Sequence, residues 1–208
     1  MAITIYHLKP AFIALLRPLT VMLARRGVTA NHVTSATCLL SCLYGAGLCL
    51  FPNSRPLWFG LPLWLFLRMA MNAMDGILAR EHGQKSRLGA LLNEMGDVVA
   101  DAALFLPLVT IPGVSGFAVA LFVWLALLTE FAGVLALMVD AQRRYDGPMG
   151  KSDRAFCIAL AGLVMGAALQ WQWHIGRAMT AALWLCCCLM VLTTYNRLRH
   201  ALAEERPL

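Results

Sequence analysis

Six apolar stretches, each about as long as a membrane-spanning helix, constrain the fold of this chain more than any other feature. A helix needs about 20 mostly apolar residues to cross the hydrocarbon core of a bilayer. Of the 208 residues, 60% are apolar and 13% are charged. A compact water-soluble domain of this length could not bury so much apolar surface. We therefore predict an all-α integral membrane protein with six transmembrane helices, over residues 33–51, 56–78, 88–109, 117–139, 155–173 and 178–195.

A segment that mixes apolar and cationic residues precedes the first of these spans. Apolar residues recur at helical spacing between residues 10 and 26, alongside Arg17, Arg25 and Arg26. This pattern is typical of an amphipathic helix in the membrane interface. A cationic flank with no further role is the alternative. We expect a single membrane domain over residues 1–208, with an interfacial segment over about 1–30 and a six-helix bundle over about 31–200.

The positive charges are distributed unevenly between the loops on the two sides of the predicted bundle. The chain has 17 Lys plus Arg and a net charge of +6. Nearly all of these cations lie in the N-terminal segment, residues 80–87, residues 142–154 and the C-terminal tail, whereas the opposite loops hold Arg55 and Arg177. The positive-inside rule then predicts that both termini are cytoplasmic. We attribute the excess charge to anchoring at an anionic membrane face and expect no nucleic-acid partner.

Polar side chains concentrate where the second span ends and the third begins. Asn72 and Asp75 lie about 60° apart on one helix face. Residues 89, 93, 97 and 101 follow one stripe at four-residue intervals, and three of them are Asn93, Asp97 and Asp101. The two helices are joined by a short turn, so we expect the stripes to face each other. Oxygen ligands of this kind suit a hard divalent cation such as Mg²⁺ or Mn²⁺.

Small residues and a cation accompany these oxygen ligands. Gly76 and Ala79 have almost no side chain, which lets a ligand approach the backbone, and Arg80 suits an anionic phosphate group. The alternative is a structural one, in which polar groups and small residues serve only the packing of neighbouring membrane helices.

Taken together, the motif resembles the signature of the CDP-alcohol phosphotransferase family, D-x2-D-G-x2-A-R-x8-G-x3-D-x3-D. Residues 72–97 read N-x2-D-G-x2-A-R-x8-G-x3-N-x3-D, with the same spacing and with six of the eight signature positions identical. Residues 26–34 also resemble the family's start of span one, and residues 150–154 resemble its start of span five. The interfacial helix and six spans match the family's architecture.

The resemblance implies an enzyme of phospholipid biosynthesis that depends on Mg²⁺ or Mn²⁺. Such an enzyme moves a substituted phosphate group from a CDP-alcohol to an alcohol acceptor and releases CMP at the cytoplasmic face. We expect CDP-diacylglycerol as the donor, a small alcohol as the acceptor, membrane lipids as neighbours, a homodimer and a bacterial inner membrane. The resemblance assigns Asp97 as the catalytic base. It places the metal near Asn72, Asp75, Asn93 and Asp97, and the CDP group near Gly76, Ala79, Arg80 and Gly89.

The chain departs from the signature at two aspartates, which are replaced by Asn72 and Asn93. An amide oxygen can bind a hard cation but contributes no negative charge. The charge of the four-residue ligand set therefore falls from −4 to −2, which should weaken the binding of two metal ions. Asp101 or Glu94 could supply the missing charge. One metal ion, two metal ions and a catalytically weakened or inactive homologue that acts as a binding or scaffold protein all remain open.

Several charged residues lie outside the signature. Lys151 and Arg154 could bind a phosphate on the acceptor, as the resemblance implies for the start of span five, or could anchor the chain at the membrane. Arg68 and Glu130 lie within different spans, where a structural ion pair between them and a role for Arg68 in substrate binding are both possible. A transporter is a weaker alternative, since no inverted repeat or centrally broken helix is evident in the sequence.

Overall fold

A computed structural model describes residues 8–204, with side chains from Phe12 onward. The first seven and last four residues of the predicted domain lie outside the described residues. The regular structure of the described part is helical throughout. Seven α-helices follow one another: α1 Leu8–Arg25, α2 Ala30–Leu50, α3 Arg55–Glu81, α4 Arg87–Phe105, α5 Gly116–Leu135, α6 Lys151–Trp171 and α7 Gly176–Ala203. Short 3-10 segments, Leu106–Thr110 and Ala136–Val139, continue α4 and α5.

The helices agree closely with the predicted spans. Among the described residues, five helices are long and apolar enough to cross a membrane, namely α2, α3, α5 with its 3-10 extension, α6 and α7. The remaining predicted span, the third in chain order, covers residues 88–109 and corresponds to α4. This helix has 19 residues and carries Glu94, Asp97 and Asp101. A helix of that length rises about 28 Å, close to the hydrocarbon thickness. The all-α membrane class is confirmed, and the transmembrane position of α4 stays a prediction.

The chain divides into two compact units. The first unit comprises Met1–Leu43 and Trp64–Ala100, and the second comprises Tyr44–Leu63 and Asp101–Leu208. Helices α2, α3 and α4 contribute residues to both units, so neither unit corresponds to a continuous stretch of chain.

In the first unit, α1 packs along α3. Leu16 is buried in a cluster with Ala70, Met74 and Ile77, and the rings of Phe12 and Phe66 meet edge to face with centroids 5.8 Å apart. The guanidinium of Arg17 lies 3.0 Å from the Glu81 carboxylate. The N-terminal helix predicted from the sequence is thus present and fixed to α3, while its position in the membrane interface stays a prediction.

In the second unit, α5 and α7 pack together beside the segment that connects α5 to α6. Small side chains allow the close approach, with Ala136, Ala141 and Ala201 buried in one cluster. Gly147 has a φ of +114°, and a Cβ there would lie 2.6 Å from atoms of Thr193. Only glycine fits that position without strain, because its backbone is left-handed and its neighbour is so close. The segment therefore lies against α7 and leads directly into α6.

Candidate active site

A cavity of about 640 Å³ lies in the first unit, between residues of α2, α3, the α3–α4 loop and α4. Its walls combine one carboxylate, four side-chain amides, several small residues and three cations. The lining residues are Ala30, Asn31, Thr34, Asn72, Asp75, Gly76, Ala79, Arg80, Gln84, Lys85, Ser86, Arg87, Gly89, Ala90 and Asn93. As expected from the sequence, the end of α3 and the start of α4 face each other, and both line this cavity.

Seven of the eleven site residues predicted from the sequence line this cavity. They are Asn72, Asp75, Gly76, Ala79, Arg80, Gly89 and Asn93. Residues three and four apart share a helix face, so the motif on α3 and the stripe on α4 each direct one face toward the same space.

Asp75 is the buried carboxylate of the cavity. It is 6% exposed, and its Oδ2 accepts a hydrogen bond of 2.8 Å from the hydroxyl of Thr34. A buried carboxylate is costly unless other groups satisfy it. Thr34 on α2 therefore positions Asp75, and α2 contributes to the site as directly as α3 and α4 do. The sequence analysis quoted Thr34 within the family-like segment 26–34 but gave it no role.

Asp97 lies one helical turn beyond Asn93 and is bound by two donors from α3. The amide nitrogen of Asn72 donates to Oδ1 of Asp97 at 3.0 Å. Nη2 of Arg68 donates to the same oxygen at 3.3 Å and to the Asp97 main-chain carbonyl at 3.1 Å. Arg68 is 4% exposed. The guanidinium therefore compensates the charge of Asp97 between α3 and α4, and this pairing was not predicted from the sequence.

Three cations give the mouth of the cavity a positive charge. Arg80, Lys85 and Arg87 are exposed and line it, against the single carboxylate of Asp75, so the lining carries a formal charge of +2. The Arg80 guanidinium lies over Gly76, where an added Cβ would be 2.9 Å from Nη2. Positive charge beside a wall without side chains favours an anion such as a diphosphate.

The loop between α3 and α4 is fixed to α2. The side-chain oxygen of Gln84 accepts a hydrogen bond of 2.7 Å from the backbone N–H of Ala30. Ser86 precedes α4 and accepts from the N–H of Gly89 at 2.9 Å, as an N-cap residue does. The loop residues were not predicted to be part of the site, because polar residues in a short turn between two helices carry no distinctive signal.

Three further predicted site residues, Asp101, Lys151 and Arg154, belong to the second unit. Asp101 is buried, and its Oδ2 lies 3.6 Å from Nη2 of Arg154, which gives the carboxylate a partner other than a metal ion. Arg154 is fully buried and donates to Glu130 at 2.7 Å. Arg68 and Glu130, which were considered as a possible ion pair with each other, have other partners in the structure. Arg68 pairs with Asp97, and Glu130 pairs with Arg154.

The oxygen-bearing side chains of the motif include fewer carboxylates than a carboxylate-rich metal centre would. No group of three or more His, Cys, Asp and Glu side chains within residues 8–204 is arranged to hold a metal ion. Asp75 and Asp97 provide two negative charges, and Asn72 and Asn93 provide neutral amide groups. This donor set fits one hard divalent cation in type and charge. Arg68 already compensates part of the charge at Asp97.

These features define a multi-pass, all-helical membrane protein with a phosphate-suited pocket between its helices. Residues 27–195 match the family model described as CDP-alcohol phosphatidyltransferase. The chain belongs to this family, and it is a membrane transferase of that type. The resemblance found in residues 72–97 is thereby confirmed.

Two relatives extend over nearly the whole chain. The inner membrane protein YnbA of Escherichia coli is 45% identical over 202 residues, which cover 96% of each chain. A phosphatidylinositol phosphate synthase of Mycobacteroides abscessus is 30% identical over 197 residues, covering 93% of this chain and 86% of the relative.

Solved structures share the fold. The crystal structure of the phosphatidylinositol phosphate synthase of Mycobacterium tuberculosis with CDP-DAG bound superimposes with a TM-score of 0.70. The two sequences are 21% identical, and the match covers 92% of this chain and 97% of the other. A second structure of the same enzyme, in complex with manganese and citrate, gives the same TM-score.

Proposed function

We propose that this protein transfers the phosphatidyl group of a CDP-linked lipid, CDP-diacylglycerol, to the hydroxyl of an alcohol and releases CMP. The observation that carries the proposal is the cavity of the first unit, which brings seven of the eight family-signature positions together with two further cations, Lys85 and Arg87. The CDP-DAG bound by the M. tuberculosis relative supports the choice of donor.

In this proposal the diphosphate of the donor lies against Gly76 and Ala79. Their small side chains let the phosphates approach the helix backbone, and Arg80, Lys85 and Arg87 supply the positive charge. Arg80 forms fork-shaped hydrogen bonds with phosphate oxygens more readily than a lysine would. Gly89 keeps α4 close to α2, since a Cβ at this position would lie 2.7 Å from Oδ1 of Asn31. Because these lining residues are small, the helices can lie close to a bound nucleotide.

Asp75, Asp97, Asn72 and Asn93 would hold a single Mg²⁺ or Mn²⁺. When bound, the cation would neutralise charge on the diphosphate. Two carboxylates balance one divalent ion, and an amide that donates its nitrogen to Asp97 retains its oxygen as a ligand. The Arg68 guanidinium favours one cation over two, because it adds a fixed positive charge beside Asp97.

Asp97 serves as the general base. The acceptor hydroxyl oxygen attacks the phosphorus that carries the diacylglycerol group, and its proton passes to the Asp97 carboxylate. The bond between that phosphorus and the oxygen bridging to the CMP phosphate breaks, and CMP leaves with the electron pair. Asn72 and Arg68 hold Oδ1 of Asp97, so the carboxylate is oriented before the acceptor arrives.

The test is release of CMP by the purified protein with CDP-diacylglycerol, Mg²⁺ or Mn²⁺, and a panel of alcohols. Asp97→Asn should reduce the rate at least about a hundredfold, as expected for loss of a general base. Gly76→Leu should prevent donor binding. Glu81→Gln, which alters an exposed carboxylate at the end of α3, is the matched control and should keep the parent rate. A parent protein as inactive as Asp97→Asn with every acceptor would favour a non-catalytic homologue.

We further propose that both termini are cytoplasmic, in a bacterial inner membrane, and that the protein is a homodimer. The loop charges and the inner-membrane relative support the first two statements. Asn53 and Lys85 are exposed loop residues before and after α3. On a cysteine-free background, Asn53→Cys should react with an impermeant maleimide outside spheroplasts, and Lys85→Cys should react only after lysis. The reverse pattern would overturn the orientation.

A further inference from the structure

In the second unit, three guanidiniums converge on one carboxylate. Glu130, on α5, is bound by Arg143, Arg154 and Arg197, which are called the arginine cluster below. The nitrogen–oxygen distances to Glu130 are 3.3 Å from Arg143, 2.7 Å from Arg154 and 3.5 Å from Arg197. All four residues come from different segments: α5, the α5–α6 connection, α6 and α7.

Arg154 is the centre of this arrangement. It is fully buried, although it lies in the first turn of α6. Nη1 donates to the Thr129 hydroxyl at 2.8 Å and to the Met149 carbonyl at 3.3 Å, and Nη2 donates to Glu130. A buried guanidinium with this many fixed partners is preorganised for oxyanions.

The other two arginines complete an oxyanion-binding geometry. Arg197 is 1% exposed, and it donates from Nη1 to the Thr129 carbonyl and from Nε to the Asp146 carbonyl. Arg143 lies over the Tyr145 ring, with its guanidinium carbon 4.9 Å from the ring centre. Each guanidinium is held by neighbours besides Glu130, so the cluster does not depend on the carboxylate alone for its position.

The charges of the cluster do not cancel. Three arginines face Glu130 and Asp101, which leaves a net charge of +1. Two of these guanidiniums, those of Arg154 and Arg197, are buried, and buried cations require an anion beside them. Glu130 provides that anion from within the chain. Its carboxylate oxygens occupy the space that the oxygens of a bound phosphate group would otherwise take.

We propose that Glu130 is a specificity-determining residue, whose carboxylate fills the arginine cluster as a built-in anion and excludes acceptors that carry a phosphate group. The inference rests on the proposed transfer to an alcohol and restricts that alcohol to one without a phosphate. It also revises the expectation that Arg154 binds an acceptor phosphate, because the guanidinium is buried and already bound to Glu130.

The experiment measures the binding of inorganic phosphate to the purified protein in detergent, by calorimetric titration, without any catalysis. The parent should show no saturable phosphate binding that depends on Arg154, and any phosphate bound by the cations of the first unit's cavity should be the same in the parent and in Arg154→Gln. Glu130→Gln removes the built-in charge with little change of shape and should bind phosphate at least about tenfold more tightly than the parent. Arg154→Gln in the same background should abolish the gain.

Two controls separate specificity from packing. Glu130→Asp alters the packing but retains the charge, so it should gain no phosphate binding. Glu204→Gln removes another carboxylate bound by an arginine, at 2.9 Å from Arg144, and should also gain none. A folded Glu130→Gln protein that binds phosphate no better than the parent would overturn the proposal and leave a purely structural ion pair.

If Glu130→Gln does not fold, phosphate binding by the parent and by Arg154→Gln tests the proposal. Saturable phosphate binding by the parent that Arg154→Gln abolishes would overturn the proposal, and its absence would support it. Failure of CMP release with every alcohol, by contrast, contradicts the proposed function and does not change the result of the phosphate titration.

Discussion

Arg68 and Asp97 form an ion pair between α3 and α4, with Nη2 of Arg68 3.3 Å from Oδ1 of Asp97. The same nitrogen donates to the main-chain carbonyl of Asp97, so the guanidinium is tied to α4 by two acceptors. The pair lies next to the two amides that replace signature aspartates. The site therefore has two fewer negative charges than the signature, and Arg68 places a positive charge beside Asp97.

Removal of this positive charge should strengthen cation binding. Arg68→Gln retains a hydrogen-bond donor for Asp97 but removes the charge, and we expect Mn²⁺ affinity to rise about tenfold, equivalent to about 1.4 kcal/mol. Calorimetric titration of Mn²⁺ measures the change. Arg17→Gln is the matched control, because Arg17 pairs with Glu81 at 3.0 Å but is exposed. Equal affinities of Arg68→Gln and the parent would show that Arg68 does not set the charge of the site.

Replacing a signature-position asparagine by aspartate should also raise the affinity for a divalent cation. Asn93 lines the cavity and follows Gly89 by one helical turn. Asn93→Asp adds a carboxylate in a poorly solvated position, so we expect Mn²⁺ affinity to rise at least about tenfold. Asp75→Ala and Asp97→Ala should each abolish binding. If neither alanine variant changes Mn²⁺ binding, the cation does not bind to this motif.

Asp101 serves as a comparison within the same helix. Its carboxylate lies 3.6 Å from Arg154, so we expect Asp101→Asn to reduce Mn²⁺ affinity far less than Asp75→Ala does. A loss of affinity as large as that of Asp75→Ala would instead make Asp101 a metal ligand, as its place on the polar stripe of α4 first indicated.

Two glycines on α4 offer a test of close packing around the cavity. A Cβ on Gly89 would lie 2.7 Å from Oδ1 of Asn31 and 3.0 Å from Oγ of Ser86, whereas a Cβ on Gly96 would meet its nearest neighbour, Cys38, at an ordinary 3.6 Å. Gly89→Ala should therefore weaken CDP-alcohol binding and lower the melting temperature. Gly96→Ala should keep both near the parent values, since alanine also favours a helix. Donor titration and thermal unfolding of the two variants measure this difference. Identical behaviour would show that α4 can shift away from α2.

Much of the fold could be predicted because apolar length decides it. The predicted second span, residues 56–78, lies within α3, and the predicted fourth span, 117–139, lies within α5 and its 3-10 extension. Hydropathy can identify such helices since each must satisfy its own backbone in the membrane. Helix α4 is the exception, because its polar stripe lowers its hydropathy while its place in the fold depends on partners from other helices.

The site could be predicted only where a motif has fixed spacing. The signature residues between 72 and 93 share a cavity because helical periodicity places them on one face of α3 and on one face of α4. The hydrogen bonds from Thr34 to Asp75 and from Arg68 to Asp97 could not be predicted in this way. Their partners lie on a different helix, and nothing in a single sequence fixes the rotation of one helix against another.

The segment between α5 and α6 lies outside the predicted membrane spans and contains a carboxylate whose charge should stabilise the fold. Asp146 accepts hydrogen bonds from Nε of Arg144 at 2.7 Å and from Nη2 at 3.0 Å. These bonds with Arg144 are the main cause that lowers the pKa of Asp146 below its ordinary value of 3.8, and a hydrogen bond with His200 adds to the effect. A carboxylate with a lowered pKa in the folded state stabilises the fold when it is ionised.

The sign of the pH dependence follows from that shift. The stabilisation by Asp146 is complete well above pH 3.8, and it is lost as the pH falls through the lowered pKa of the folded state. Asp146 has a side chain that is 28% exposed, so the contribution at pH 7 should be at most about 1 kcal/mol. We expect the parent to melt above Asp146→Asn at pH 7 and the difference to shrink as the pH falls below 3.8.

Asp140→Asn provides the matched control in the same segment. Asp140 is exposed and has a left-handed backbone with a φ of 57°, a conformation that asparagine adopts readily. The melting temperature of Asp140→Asn should follow that of the parent across the pH range. Thermal unfolding in detergent at pH 7, 5, 4 and 3 measures all three proteins. A difference between parent and Asp146→Asn that persists unchanged at pH 3 would show that the Asp146 side chain stabilises the segment by packing rather than by its charge.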